Sequence, residues 1–103
     1  MNKNIIDTGF NKLIKSRHGF LSYNKNDMYI GKSIEKYGEF SHLEAKLFEQ
    51  ICKDGDIVIE VGANIGAHTL YLSKLVGNGF VIAYEPQRLV FQNLCANLAL
   101  NSI

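Results

Sequence analysis

The residues best placed to do chemistry are two carboxylates and a pair of glycines. Glu60 lies in the run Ile57-Val58-Ile59-Glu60-Val61, and Gly62-Ala63-Asn64-Ile65-Gly66 follows directly. Glycine lacks a Cβ, so the backbone at Gly62 and Gly66 can take dihedrals barred to other residues, and a ligand can approach the main chain closely. Glu85 closes a second apolar run, Phe80-Val81-Ile82-Ala83-Tyr84. It lies about 20 residues beyond the glycines, where doubly wound folds place an acid for ribose hydroxyls. A strand, a glycine loop and a helix start, followed by a second strand ending in an acid, make a cradle for a nucleotide-like cofactor.

These groups need elements to hold them. The β-branched run 57–61 reads as a parallel strand buried on both faces. From Ala67 the pattern turns helical, with Leu70, Leu72, Leu75 and Val76 available for packing. Two parallel strands would bring Glu60 and Glu85 to one carboxyl edge. Upstream, Ser41-His42-Leu43-Glu44 has capping-box spacing, and Leu43, Leu47, Phe48, Ile51 and Cys52 define one buried helical face. Gly19 to Tyr23 and Met28 to Ile30 flank the turn residues 24–27 and predict a β-hairpin; residues 1–15 predict a loose start with a short helix. Ser33 to Phe40 predicts one or two helical turns that break near Gly38. Pro86 suits the first turn of a last helix, whose Val90, Leu94 and Leu98 form the apolar stripe while Arg88, Gln92, Asn93 and Asn97 are left for the polar side. The fold class expected is α/β: residues 1–40 form an extension with a β-hairpin, and residues 41–103 form the N-terminal half of a Rossmann-like, doubly wound domain.

Composition narrows the function classes. The chain has 103 residues, 47% of them hydrophobic, and a formal charge of +1. That balance gives no reason to expect nucleic acid or an anionic membrane as partner. No apolar run reaches the ~18 residues of a membrane span and the first residues lack a signal-peptide core, so a cytoplasmic protein is expected. Cys52 and Cys95 sit in apolar helical patterns and are expected to be buried free thiols. His18 and His42 lack ligand-spaced partners, so no metal site is expected, and His68 reads as a packing or capping residue of the helix start. Phe20, Tyr23, Tyr29 and Phe40 are expected in the core.

The loop itself speaks to the ligand. A dinucleotide fingerprint needs G-x-G-x-x-G, whereas here the order is Glu60-x-Gly62-x-Asn64-x-Gly66. A carboxylate so close to a pyrophosphate is unfavourable, but it suits a cationic ligand. S-adenosylmethionine carries an ammonium and a sulfonium and has no phosphate. Asn64 either tolerates a left-handed conformation or touches the cofactor.

At this point the sequence resembles the FkbM-type family of S-adenosylmethionine-dependent methyltransferases. The matching residues are Tyr37-Gly38-Glu39, Gly55-Asp56, Glu60 to Thr69, Tyr84-Glu85-Pro86-Gln87-Arg88 and Asn97-Leu98-Ala99-Leu100-Asn101. The resemblance implies that Gly62, Ala63, Asn64 and Gly66 wrap the methionine part of the cofactor, with Glu60 near its amino end and Glu85 on the ribose hydroxyls. It implies O-methylation of a small-molecule or glycan hydroxyl. Tyr37 and Glu39 either fold over the cofactor, as the matching family segment suggests, or form a plain turn. The family pattern is present only in its N-terminal half, so the chain is expected to be the cofactor-binding part of a longer enzyme and inactive alone. Two competing readings are an NAD- or nucleotide-binding oxidoreductase fragment and a non-catalytic interaction module whose open sheet edges pair with other chains.

Overall fold

The computed structural model describes residues 5–103. Strands β1 (Ile6–Asp7), β2 (Asn11–Ser16) and β3 (Gly19–Asn24) form an antiparallel sheet in that order. Helices α1 (Ile30–Tyr37) and α2 (His42–Ile51) follow, then β4 (Ile57–Val61), α3 (Ala67–Val76), β5 (Phe80–Tyr84) and α4 (Arg88–Leu100). Strands β4 and β5 pair in parallel across α3, in register from Ile57 beside Phe80 to Val61 beside Tyr84. The protein is thus α/β, with an antiparallel hairpin sheet and a parallel β–α–β unit.

The N-terminal third departs from the sequence expectation. The hairpin lies one strand earlier, joining β2 and β3 through Arg17-His18, and the part of the expected loose start beyond residue 4 contributes β1 and most of β2. The expected second strand at Met28 to Ile30 is instead the entrance to α1. Asp27 decides this, because its Oδ1 accepts the N–H groups of Tyr29 and Ile30, both at 2.9 Å, and so satisfies donors that a helix start leaves free. Gly38, left-handed at φ 78°, closes α1. Pro86 stands ahead of α4, outside its first turn, because Gln87 is still extended.

One core joins the antiparallel sheet to the loop and helices of the parallel unit. Ile14, Leu21 and Tyr23 from the hairpin meet Ile34 of α1, Leu70 of α3 and Ile65 of the glycine loop, with Phe40, Val90 and Leu98 packed against them. Of the aromatic residues expected inside, Tyr23 is buried and Phe40 half-buried, whereas Phe20 and Tyr29 are exposed. Cys52 is half-buried and Cys95 exposed, so the expected burial of both thiols does not hold; neither is bridged.

Helix α4 meets the hairpin through amides. Asn97 Oδ1 accepts the Ser22 N–H at 2.6 Å, and its Nδ2 donates to Ser22 O at 3.0 Å and to Ile65 O at 2.7 Å. One helical turn on, Asn101 accepts the Phe20 N–H at 2.9 Å and donates to Phe20 O at 2.7 Å. One turn back, Asn93 Oδ1 accepts the Ser22 hydroxyl at 3.0 Å. A carboxamide offers a donor and an acceptor as a peptide group does. Asn97 and Asn101 therefore serve the outer edge of β3 as a neighbouring strand would, and Asn93 extends the row through side-chain bonds. Asn93 and Asn97 are buried, the reverse of the polar face expected for them; their spacing marks a helix face without saying whether it meets solvent or unpaired backbone.

Three more expectations fail. The face of α2 expected to be buried is open: Leu43, Leu47 and Ile51 are exposed, while Ala45 is buried and Phe48 half-buried. Ser41 is left-handed (φ 57°) and its side chain makes no cap bond, so no capping box forms. Strands β4 and β5 bury one face only. For α2 and the two strands the apolar pattern is real, but cover lies on one side.

Replacing Asn97 with Ala strands the Ser22 N–H and the carbonyls of Ser22 and Ile65 in a dry interior. We expect a loss of about 3 kcal/mol, and about 1 kcal/mol for the more exposed Asn101→Ala, read as a fall in the urea midpoint at unchanged slope.

Candidate functional site

The glycine loop is closed on itself by hydrogen bonds. The N–H groups of Gly62 and Ala63 both donate to Tyr84 O at 2.9 Å, tying the end of β4 to the end of β5. Asn64, left-handed at φ 56°, donates its N–H to Glu85 Oε1 at 2.8 Å, while its Oδ1 accepts the Ile65 N–H at 2.9 Å. Gly66 N–H reaches Ala63 O at 3.0 Å. All five loop N–H groups, 62–66, are therefore used within the chain. A phosphate-binding loop needs such groups free and convergent.

The two glycines have different work. Gly66 (φ 91°) lies where a Cβ would stand 2.8 Å from Leu94 Cδ1, so only glycine lets α4 approach the helix start. Gly62 (φ 77°) faces open space, with nothing within 4 Å of where a Cβ would lie. Ala63 is buried between them.

The carboxylates sit at the same end of the sheet but in different settings. Glu85 follows β5, and its second oxygen accepts the Gln87 N–H at 3.0 Å. Each oxygen keeps room for another donor. Glu60 lies within β4, level with Ala83 and turned under α3, where Thr69 Oγ1 donates to its Oε1 at 2.5 Å. Burial pushes the Glu60 carboxyl above the usual carboxylate range, and the Thr69 hydrogen bond and the nearby His68 offset this only in part. Among the described residues Thr69 is its one hydrogen-bond partner. Glu60 also borders a groove of about 570 Å³ that runs along the free edge of β4, between that strand and helices α2 and α3, with Gly62, Glu44 and His68 on its walls.

His68 is held by packing. Its Nε2 lies 3.2 Å from Phe40 O and 3.3 Å from Glu44 Oε2, and its ring sits beside Phe40 and edge-on to Phe48. Glu44, expected in the capping box, is thus engaged with α3 instead. Tyr37 is exposed.

Sequence reasoning missed a second charged cluster. Glu39, with its side chain 6% exposed, accepts from Arg17 Nε at 2.7 Å, meets His42 Nδ1 at 3.2 Å and lies 3.7 Å from His18 Nε2. It ties the β2–β3 turn to the α1–α2 junction. Its members are 17, 18, 39 and 42, and only the fold brings the two pairs together. His18 Nε2 is buried with no hydrogen bond, and its ring lies against Tyr71 with centroids 4.4 Å apart. Among the described residues no group of His, Cys, Asp and Glu could hold a metal ion, and no helix is long and apolar enough to cross a membrane.

Compared with known proteins, the chain matches no family model, no curated protein and no solved structure. The class the structure defines is an α/β protein whose parallel β–α–β unit carries a saturated glycine loop between two strand-end carboxylates.

Burial lowers the His18 pKa below its ordinary 6.5, outweighing the opposing pull of Glu39; Lys74 and Arg17 also lower it. The unfolded chain therefore binds the His18 proton first as pH falls. The stability tied to neutral His18 is complete above pH 6.5 and is lost on acidification through the folded value. Glu60 acts in the opposite sense, because its raised pKa makes the folded state bind its proton first. The readout is therefore the difference between proteins: between pH 7.5 and 5.5 the melting temperature of the native chain should fall more than that of His18→Gln.

Proposed function

We propose that this chain is the cofactor-binding part of an S-adenosylmethionine-dependent methyltransferase of the FkbM type, with a Rossmann-like arrangement around β4, α3 and β5. The observation that carries the reading is the saturated loop. With every N–H of residues 62–66 already bonded, the loop offers no nest for a pyrophosphate, which argues against NAD and related dinucleotides. What the site does offer is negative charge and open backbone, which suit a cofactor that carries positive charge and no phosphate.

The residues fit such a group. Glu60 is partly buried with a single hydroxyl partner and borders an open groove, so a ligand ammonium there would supply the cation it lacks. Gly62 leaves the main chain open to the methionine portion, and Asn64 holds the loop in its left-handed turn. Glu85, pinned by two backbone N–H groups, is preset to accept from ribose hydroxyls through its remaining lone pairs. The bound cofactor supplies an electrophilic methyl group on a sulfonium. This chain binds it and orients it toward an acceptor, by the family resemblance a hydroxyl on a sugar or natural product.

Titration calorimetry tests the reading with S-adenosylmethionine and NAD as probes. We expect binding of the first and no response to the second, with Glu60→Gln and Glu85→Ala each weakening it on the order of tenfold. Glu60→Gln should at the same time raise the melting temperature of the free chain at pH 7, because it removes a buried charge and keeps an acceptor for Thr69. Binding of NAD with none of S-adenosylmethionine would overturn the proposal.

A further inference from the structure

One face of the parallel pair is bare. In a parallel ladder laterally paired residues point the same way, so Ile57 with Phe80, Ile59 with Ile82 and Val61 with Tyr84 share one face. These six side chains are 43–83% exposed. The opposite face is occupied: Thr69 of α3 bonds Glu60, and Val81 and Ala83 line a cavity shared with Val76 and Leu94 of α3 and α4. None of the six carries a charge, and exposed Ile51 of α2 lines the same groove as Ile57, Ile59 and Val61, extending the patch past the free edge of β4.

The extent of this face indicates what covers it. At roughly 100 Å² for each side chain it presents about 600–700 Å², above the 300–600 Å² of the largest patch on a typical monomer and close to the ~800 Å² each partner gives a stable interface. Purely parallel sheets are found covered on both sides. We propose that the occupant is a second copy of this chain, packed sheet against sheet about a two-fold axis that runs along the strands. That axis sets the narrower row Ile57, Ile59 and Val61 of each copy across from the bulkier row Phe80, Ile82 and Tyr84 of the other. Large side chains then oppose small ones, and none of the six residues brings a charge into the contact. Gly62 and Glu85 lie beyond the last paired residues, Val61 and Tyr84, at the rim of this face. The groove beside Glu60 shares Ile57, Ile59 and Val61 with it, so a dimer narrows that groove and is tested without ligand.

Sedimentation equilibrium on the 103-residue chain across micromolar to submillimolar concentrations tests this. We expect a monomer–dimer equilibrium, abolished in Ile59→Lys/Ile82→Lys and kept in Phe20→Lys, which alters an exposed residue of the hairpin sheet. Circular dichroism verifies that each variant is folded. Should the double variant unfold, dilution of the native protein followed by amide NMR decides, with shifts expected at 57–61 and 80–84. A native chain that stays monomeric at the highest concentration, a dimer indifferent to the double variant, or dilution shifts confined to other residues would overturn the proposal.

Discussion

Asn97 is the point at which the molecule is joined. Its single carboxamide bonds the edge of β3 at Ser22 and the carbonyl of Ile65 in the glycine loop, so one buried side chain connects the hairpin sheet, α4 and the candidate site. An outer strand edge set against a helix would ordinarily leave peptide groups dry and unpaired, at considerable cost. Here a row of asparagines supplies the missing partners. The hairpin sheet can thereby share one core with the loop and helices of the parallel unit.

Electrostatics divides the chain into two regions with different logic. Around Glu39 the charges are mutually satisfied and draw the hairpin turn and the helix junction together. At the carboxyl end of β4 and β5 they are not: Glu60 is partly buried, with the Thr69 hydroxyl as its one hydrogen-bond partner among the described residues and His68 offsetting its burial only in part. A carboxylate that the fold leaves without a cationic partner marks this end of the sheet as the candidate site.

Local chemistry made the parallel unit readable. The runs 57–61 and 80–84, the intervening helix and the two glycines follow from β-branched content, helical spacing and the dihedral demands of a tight turn. Glu60 and Glu85 are recognisable because each interrupts or ends such a run. The hairpin was misplaced because Asp27 resembles a turn residue in sequence while its carboxylate acts two and three residues later, at the start of α1. The asparagine ladder and the Glu39 cluster were invisible for a deeper reason. Both join residues far apart in the chain, Ser22 with Asn97 and Arg17 with Glu39, and periodicity reports only which face a side chain is on.

Ile65 lies within the glycine loop and yet belongs to the hydrophobic core, with its carbonyl bonded by Asn97, while the amides of Gly62 and Ala63 bond Tyr84 O and that of Asn64 bonds Glu85. Such a loop is tied to its surroundings at every residue from 62 to 66. Its conformational entropy is lost when the chain folds, so any ligand it takes would meet a surface already formed.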